Sequence, residues 1–131
     1  MKLLLDTHIW LWALGQPKKL SRIVQRQIES PKNELYLSPI SIWEAHLLAR
    51  RGRLRAQPSF REWLDDMLAR APLREAPFNT AVAAAAAGIE LPQGDPGDLF
   101  LAATASVFGL TLVTADEQLI ECEWLKTLAN E

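Results

Sequence analysis

Four acidic residues stand where the surrounding sequence is otherwise built for burial. Asp6 interrupts the apolar run LLLDTHIWLW (3–12), and Glu44 lies within SPISIWEAHLLARRG (38–52). Asp98 opens GDPGDLFLAATASVFG (94–109), and Asp116 follows LTLVT (110–114) through Ala115. Carboxylates brought together repel one another, so some hold protons unless a divalent cation neutralises them. Mg²⁺ takes oxygen ligands octahedrally and keeps several waters, which suits a few carboxylates better than a closed cage. A cation so held lets a water lose its proton and attack a phosphodiester in line, and it offsets charge on the departing oxygen. That chemistry needs no histidine base.

Each acid also has a plainer role. Asp6 and Asp116 both lead into helical pattern, where aspartate is a preferred N-cap. For Glu44 the helix start matters: Ser38 as N-cap with Pro39 at the first helical position is better than a capping box from Ser41. At about 100° per residue, Glu44 then falls between Ile40, Leu47 and Leu48, inside the apolar stripe. A buried ionisable group needs a partner, and Arg51 two turns on and a metal ion are the two candidates. Asp95, Pro96 and Asp98 form a well-started helix by themselves. The helix beyond them is apolar nearly all round, so its amino end should open at the core. Asp95 is therefore assigned mainly to capping and Asp98 mainly to chemistry.

The elements that must hold these residues alternate. Strands are expected at 2–6, 34–38, 73–78 and 110–114, with a further one in WLKTL (124–128). Helical patterns lie between them. Ser59 and Glu62 make a capping box for the segment 59–71, and Asn79 caps an alanine-rich helix closed by Gly88. Continuously apolar strands alternating with helices predict an α/β three-layer sandwich, with a mostly parallel central sheet of about four to five strands flanked by helices. In such sheets ligands bind beyond the carboxyl ends of the strands, which is where Asp6 and Asp116 fall.

Composition sets outer limits. A length of 131 residues with 49% hydrophobic content is read as one domain spanning 1–131. Asp6 and His8 cut the first apolar run too short for a signal peptide or a membrane span, so a cytoplasmic protein with no membrane association is expected. Cys122 is the only cysteine, which rules out an internal disulfide, and with only His8 and His46 beside it a structural zinc is not expected. The net charge of −2 gives no general pull on nucleic acid. Any RNA contact would be local, at Arg50, Arg51, Arg53 and Arg55; a charge run at a helix end is more often a solvated face complementing the dipole. The five tryptophans are read as core or interface rather than base-stacking platforms.

In order and local context the four acids resemble those of the PIN-domain ribonucleases, and within them the VapC-type toxins of bacterial toxin–antitoxin pairs. The resemblance covers essentially the whole chain and rests on LLLDTHIWLW, LSPISIWEAHLL, GDPGDLFLAATA and GLTLVTADEQL. It implies Mg²⁺ or Mn²⁺ held by Asp6, Glu44, Asp98 and Asp116, with the hydroxyls of Thr7 and Thr114 near the site. It further implies an RNA substrate, a homodimer, and an antitoxin partner whose tail blocks the acidic site. Relatives often carry basic residues around the motif matched by QGDPGDLF; this chain has Gln93, Gly94, Gly97 and Leu99 there. Two other readings stay open. A phospho-acceptor receiver domain also places acids at strand ends, but it needs a late-sheet lysine, and after Lys32 only Lys126 remains. A catalytically degenerate PIN-like binding module, acting through a protein partner, would keep the acids without turnover.

Overall fold

The computed structural model describes residues 1–91 and 95–131. In chain order the elements are β1 (Lys2–Leu5), α1 (Thr7–Gly15), a 3-10 turn (Pro17–Lys19), α2 (Arg22–Glu29), β2 (Glu34–Leu37), α3 (Pro39–Arg50) and α4 (Phe60–Arg70). They continue with β3 (Arg74–Glu75), α5 (Thr80–Ala87), α6 (Pro96–Phe108), β4 (Thr111–Thr114), α7 (Glu117–Ile120) and β5 (Thr127–Ala129). All five strands run parallel in the order β3-β2-β1-β4-β5. The expected α/β sandwich is what forms.

Pleating divides the core. Leu3 and Leu5 of β1 face Ile9, Trp10, Val24, Ala45 and Trp63, which come from α1 to α4. Leu4 points the other way, onto Leu101, Ala102 and Ala105 of α6 and Leu119 of α7. A strand buried on both faces has no polar side to show, which is why β1 reads as an unbroken apolar run. α5 rests on α6 rather than on the sheet, through Val82, Ala86 and Ala103.

The central pair positions everything that follows. Leu5 of β1 stands opposite Val113 of β4. From β1 the chain builds first towards β2 and β3, then returns to lay β4 and β5 on the other side. The gap beyond β1 and β4 is therefore the switch point of the sheet, where a ligand crevice opens in such folds.

Caps follow the residue types. Ser38, Ser59, Asn79 and Asp95 each accept a backbone N–H in the first turn of their helices. Gly109 ends α6 in the left-handed region at φ 65, which glycine tolerates at no steric cost, whereas Gly88 ends α5 at φ −93 and needs no such freedom.

Some expected elements are shorter. The segment 73–78 supplies only Arg74–Glu75 as strand, because β3 is an edge strand and its pairing ends where Ala76 donates to the Leu37 carbonyl, just before Pro77. The last strand starts at Thr127, since Leu125 is tied to Cys122 in a turn. α6 is fully buried from Leu101 to Ala105 but only partly so at Leu99 and Phe100, and it opens at Val107 and Phe108, so it is not enclosed all round. Among the described residues no helix is long and apolar enough to cross a membrane.

Candidate active site

Asp6 stands where β1 hands over to α1. Its N–H still bonds the Val113 carbonyl at 3.0 Å, which holds the backbone in the sheet while the side chain caps the helix. Oδ1 accepts the Thr7 N–H at 2.7 Å and Oδ2 accepts the Thr114 hydroxyl at 2.6 Å. Burial pushes this carboxyl up, and the two hydrogen bonds oppose the rise. Thr114, fully buried at the end of β4, also accepts the Asp116 N–H at 3.0 Å. One hydroxyl thus fixes both strand-end aspartates. Asp116 in turn caps α7, its Oδ1 accepting from Gln118 at 2.9 Å and Leu119 at 3.3 Å. Capping and clustering, posed by the sequence as alternatives, are here done by the same carboxylates.

Glu44 reaches the site from α3. Ser38 and Pro39 start that helix as expected, which puts Glu44 in its second turn, half-buried. Its hydrogen-bond partner is Thr7 and not Arg51. Thr7 donates to Oε1 at 2.6 Å, and a hydroxyl–hydroxyl bond of 2.8 Å joins Thr7 to Ser41. Thr7 has one hydroxyl proton, so giving it to the carboxylate leaves Ser41 to donate to Thr7. Arg51 is exposed, and among the described residues it forms no ion pair. Water solvates a guanidinium at the helix end more cheaply than α3 could bury it beside Glu44. Burial raises the Glu44 carboxyl, the Thr7 bond lowers it, and the charges of Asp6 and Asp95 raise it again.

The amino end of α6 closes the group. Asp95 is the cap, exposed, with Oδ1 accepting the Gly97 N–H at 2.9 Å. Asp98 lies in the first turn, half-buried, with its carboxyl pushed up to about 7 by burial first, then by the charges of Asp6, Asp116, Asp95 and Glu44. Asp98 therefore senses all four other acids. His8, exposed in the first turn of α1, is close enough for its charged form to lower the Asp6 and Glu44 carboxyls.

The donors are all hard oxygens in mutual repulsion, which fits a divalent cation of the Mg²⁺ or Mn²⁺ type. Hydrogen bonds already engage both oxygens of Asp6 and one each of Glu44 and Asp116. In this arrangement, among the described residues, no three His, Cys, Asp or Glu side chains close around one point as ligands.

The family model described as PIN domain matches residues 3–125. The chain belongs to the PIN-domain family. Ribonuclease VapC22 of Mycobacterium tuberculosis (strain ATCC 25618 / H37Rv) is 34% identical over 119 residues, covering 88% of each chain. Two solved structures share the fold. VapBC2 from Rickettsia felis bound to a promoter DNA fragment has a TM-score of 0.77 at 20% identity over 100% of both chains. DNA-bound VapBC from Salmonella typhimurium has a TM-score of 0.70 at 18% identity over 98% of both.

Two residues of this PIN site are not marked by the sequence. Ser41 reads there only as a cap, yet it is fully buried behind Thr7. Gly97 lies against Glu44: a Cβ there would fall on the Glu44 carboxylate, 2.9 Å from Cδ and closer still to Oε2. The available signal is a glycine one place before Asp98 in a first helical turn, where propensity gives it no use. Arg50, Arg51, Arg53 and Arg55 are all exposed. Of the positions where relatives carry basic residues, Gln93 and Gly94 lie outside the described residues.

Proposed function

We propose that this PIN domain is a divalent-metal-dependent endoribonuclease, the toxin of a type II toxin–antitoxin pair, acting in the cytoplasm. The observation that carries the reading is that Asp98 feels the charge of Asp6, Glu44, Asp95 and Asp116 at once, at the switch point of the sheet. A relative named as a ribonuclease, 34% identical over 88% of the chain, supports the activity. Fold neighbours solved as VapBC assemblies support an antitoxin partner, and a homodimer is the assembly we expect.

Asp6, Glu44, Asp98 and Asp116 would hold Mg²⁺ or Mn²⁺. When bound, the cation would make a water easier to deprotonate and would supply positive charge for the phosphodiester oxygens. The chain's own residues prepare for that. Thr114 holds Asp6 and Asp116 in register, Thr7 and Ser41 hold Glu44, and Asp95 starts the helix that presents Asp98. Burial around Asp6 keeps bulk water from screening the acids.

The second reading is a PIN-like module that binds a protein partner without turnover. It draws on the structural work the carboxylates already perform, with Asp6 and Asp116 capping helices. Calorimetric titration of Mn²⁺ and Mg²⁺ into metal-free protein separates the two, with wild type beside Asp6→Asn and Asp98→Asn and cleavage of a mixed RNA pool followed in the same buffers. The nuclease reading expects saturable binding and cleavage that both fail in the variants and in chelator. A folded wild type that binds no metal and cuts no RNA would leave the binding module.

A further inference from the structure

The outward face of α3 has an unusual make-up. Trp43, the residue before Glu44, is 56% exposed. It is not loose: its ring leans on His46 at 5.2 Å, His46 meets Phe60 at 5.1 Å, and Phe60 meets Trp63 at 5.5 Å. Trp63 then packs on the buried Trp10 at 5.9 Å. The exposed indole is thus braced through four rings to the core. Seven residues on, Arg50 projects about 20° from Trp43 around the helix, so the two share one face. Residues 45–61 contain five arginines and no acid, in a chain whose net charge is −2. Arg61 pairs with Asp65, whereas among the described residues Arg50, Arg51, Arg53 and Arg55 make no ion pair.

We propose that this face is the platform on which single-stranded RNA lies as it enters the acidic site, with a base stacked on Trp43 and phosphates against Arg50 and the arginines after it. The inference rests on the ribonuclease reading and says where that enzyme grips its substrate. A flat aromatic face followed by unpaired guanidinium groups matches the alternation of base and phosphate in a single strand. A duplex keeps its bases stacked and offers none to the indole. Glu44, the next residue, turns about 100° away and bonds Thr7, so the platform begins one residue from the nearest of the carboxylates. The bracing limits the rotamer freedom lost on stacking.

The test measures binding of a short fluorescein-labelled single-stranded RNA, and of the same sequence as duplex, in chelator so that nothing is cut. Trp43→Ala should weaken single-strand binding about 5- to 100-fold and duplex binding little, with Trp43→Phe close to wild type. Replacing Arg50 and Arg53 by Ala should weaken binding and flatten its salt dependence by about 0.7 in log–log slope for each phosphate that is no longer neutralised. All variants should keep wild-type Mn²⁺ titrations and, in cleavage, raise KM with kcat retained. Single-strand affinity unchanged in Trp43→Ala, or a change of elution volume in place of a change of affinity, would overturn the platform and give the face to a protein partner or a second copy. The two readings fail separately. A wild type that binds but never cuts sinks the nuclease, and one that cuts with an unaltered KM in Trp43→Ala sinks the platform.

Discussion

Thr114 donates its hydroxyl proton to Oδ2 of Asp6 across 2.6 Å, tying the last residue of β4 to the residue after β1. Both groups are buried, so no water replaces the bond if it is lost. Thr114→Val keeps the shape and removes the donor, at a cost of about 1–3 kcal/mol for a buried acceptor left without a partner. It also takes away the acceptor of the Asp116 N–H. Urea unfolding should show the loss, and Thr114→Ser should recover most of it. Without that hydrogen bond the Asp6 carboxyl rises further, so the variant's Mn²⁺ affinity should fall more at pH 6 than at pH 8.

Thr7 does for Glu44 what Thr114 does for Asp6. Its single proton goes to Oε1 at 2.6 Å, and Ser41 completes the relay behind it. Thr7→Val should free the carboxylate to turn and lower RNA cleavage by about 10-fold or more, the size of one lost bond to a charged group. Thr7→Ser keeps the hydroxyl and should stay within about threefold of wild type. Equal losses in both variants would mean that the methyl packing matters and the hydroxyl does not.

The fold was legible because its signals are local. Leu3, Leu4 and Leu5 declare a strand buried on both faces, and Ser38–Pro39 and Asp95–Pro96 declare helix starts by cap chemistry. The acids could be found the same way, since Asp6 and Asp116 each follow an apolar strand. What joins them was not legible. The Thr7–Glu44 bond spans 37 positions and the Thr114–Asp6 bond spans 108, and no spacing rule connects such residues before the sheet order is known. Helical azimuth offers Arg51 as the partner of Glu44, but azimuth does not record that α1 brings Thr7 to Glu44 first. Gly97 was hidden for the same reason: its neighbour comes from α3, not from its own helix.

Gly97 lets the start of α6 sit against the Glu44 carboxylate, and a Cβ there would land on it. The obstacle is the far end of a flexible side chain, so it can swing away at the expense of its bond from Thr7. Gly97→Ala should therefore fold with stability within about 1 kcal/mol of wild type, the displaced carboxylate set against a better helix former. Cleavage, not folding, should suffer. In a double-mutant cycle, Gly97→Ala and Thr7→Val should combine to much less than the product of their separate effects, because both release the same carboxylate. Independent effects in that cycle would mean that Gly97 acts elsewhere.

Asp98 predicts how pH acts on the metal-free protein. Its carboxyl rises from an ordinary 3.8 to about 7, through burial first and then the surrounding acids. Between those values the folded state holds a proton that the unfolded chain has lost, so stability falls as pH rises through the window and the full penalty applies above about 7. Asp98→Asn removes the penalty. At pH 8 the variant should melt a few °C above metal-free wild type, a modest gap because the group is half-exposed, and at pH 4 the two should nearly coincide. Added Mn²⁺ should reverse the order. It displaces the proton and neutralises the acids, so wild type gains stability with metal while the variant gains little. Calorimetric melts at both pH values, with and without Mn²⁺, check all four points. A variant less stable than wild type at pH 8 without metal would mean that Asp98 is held by a favourable contact and is not strained by its neighbours' charge.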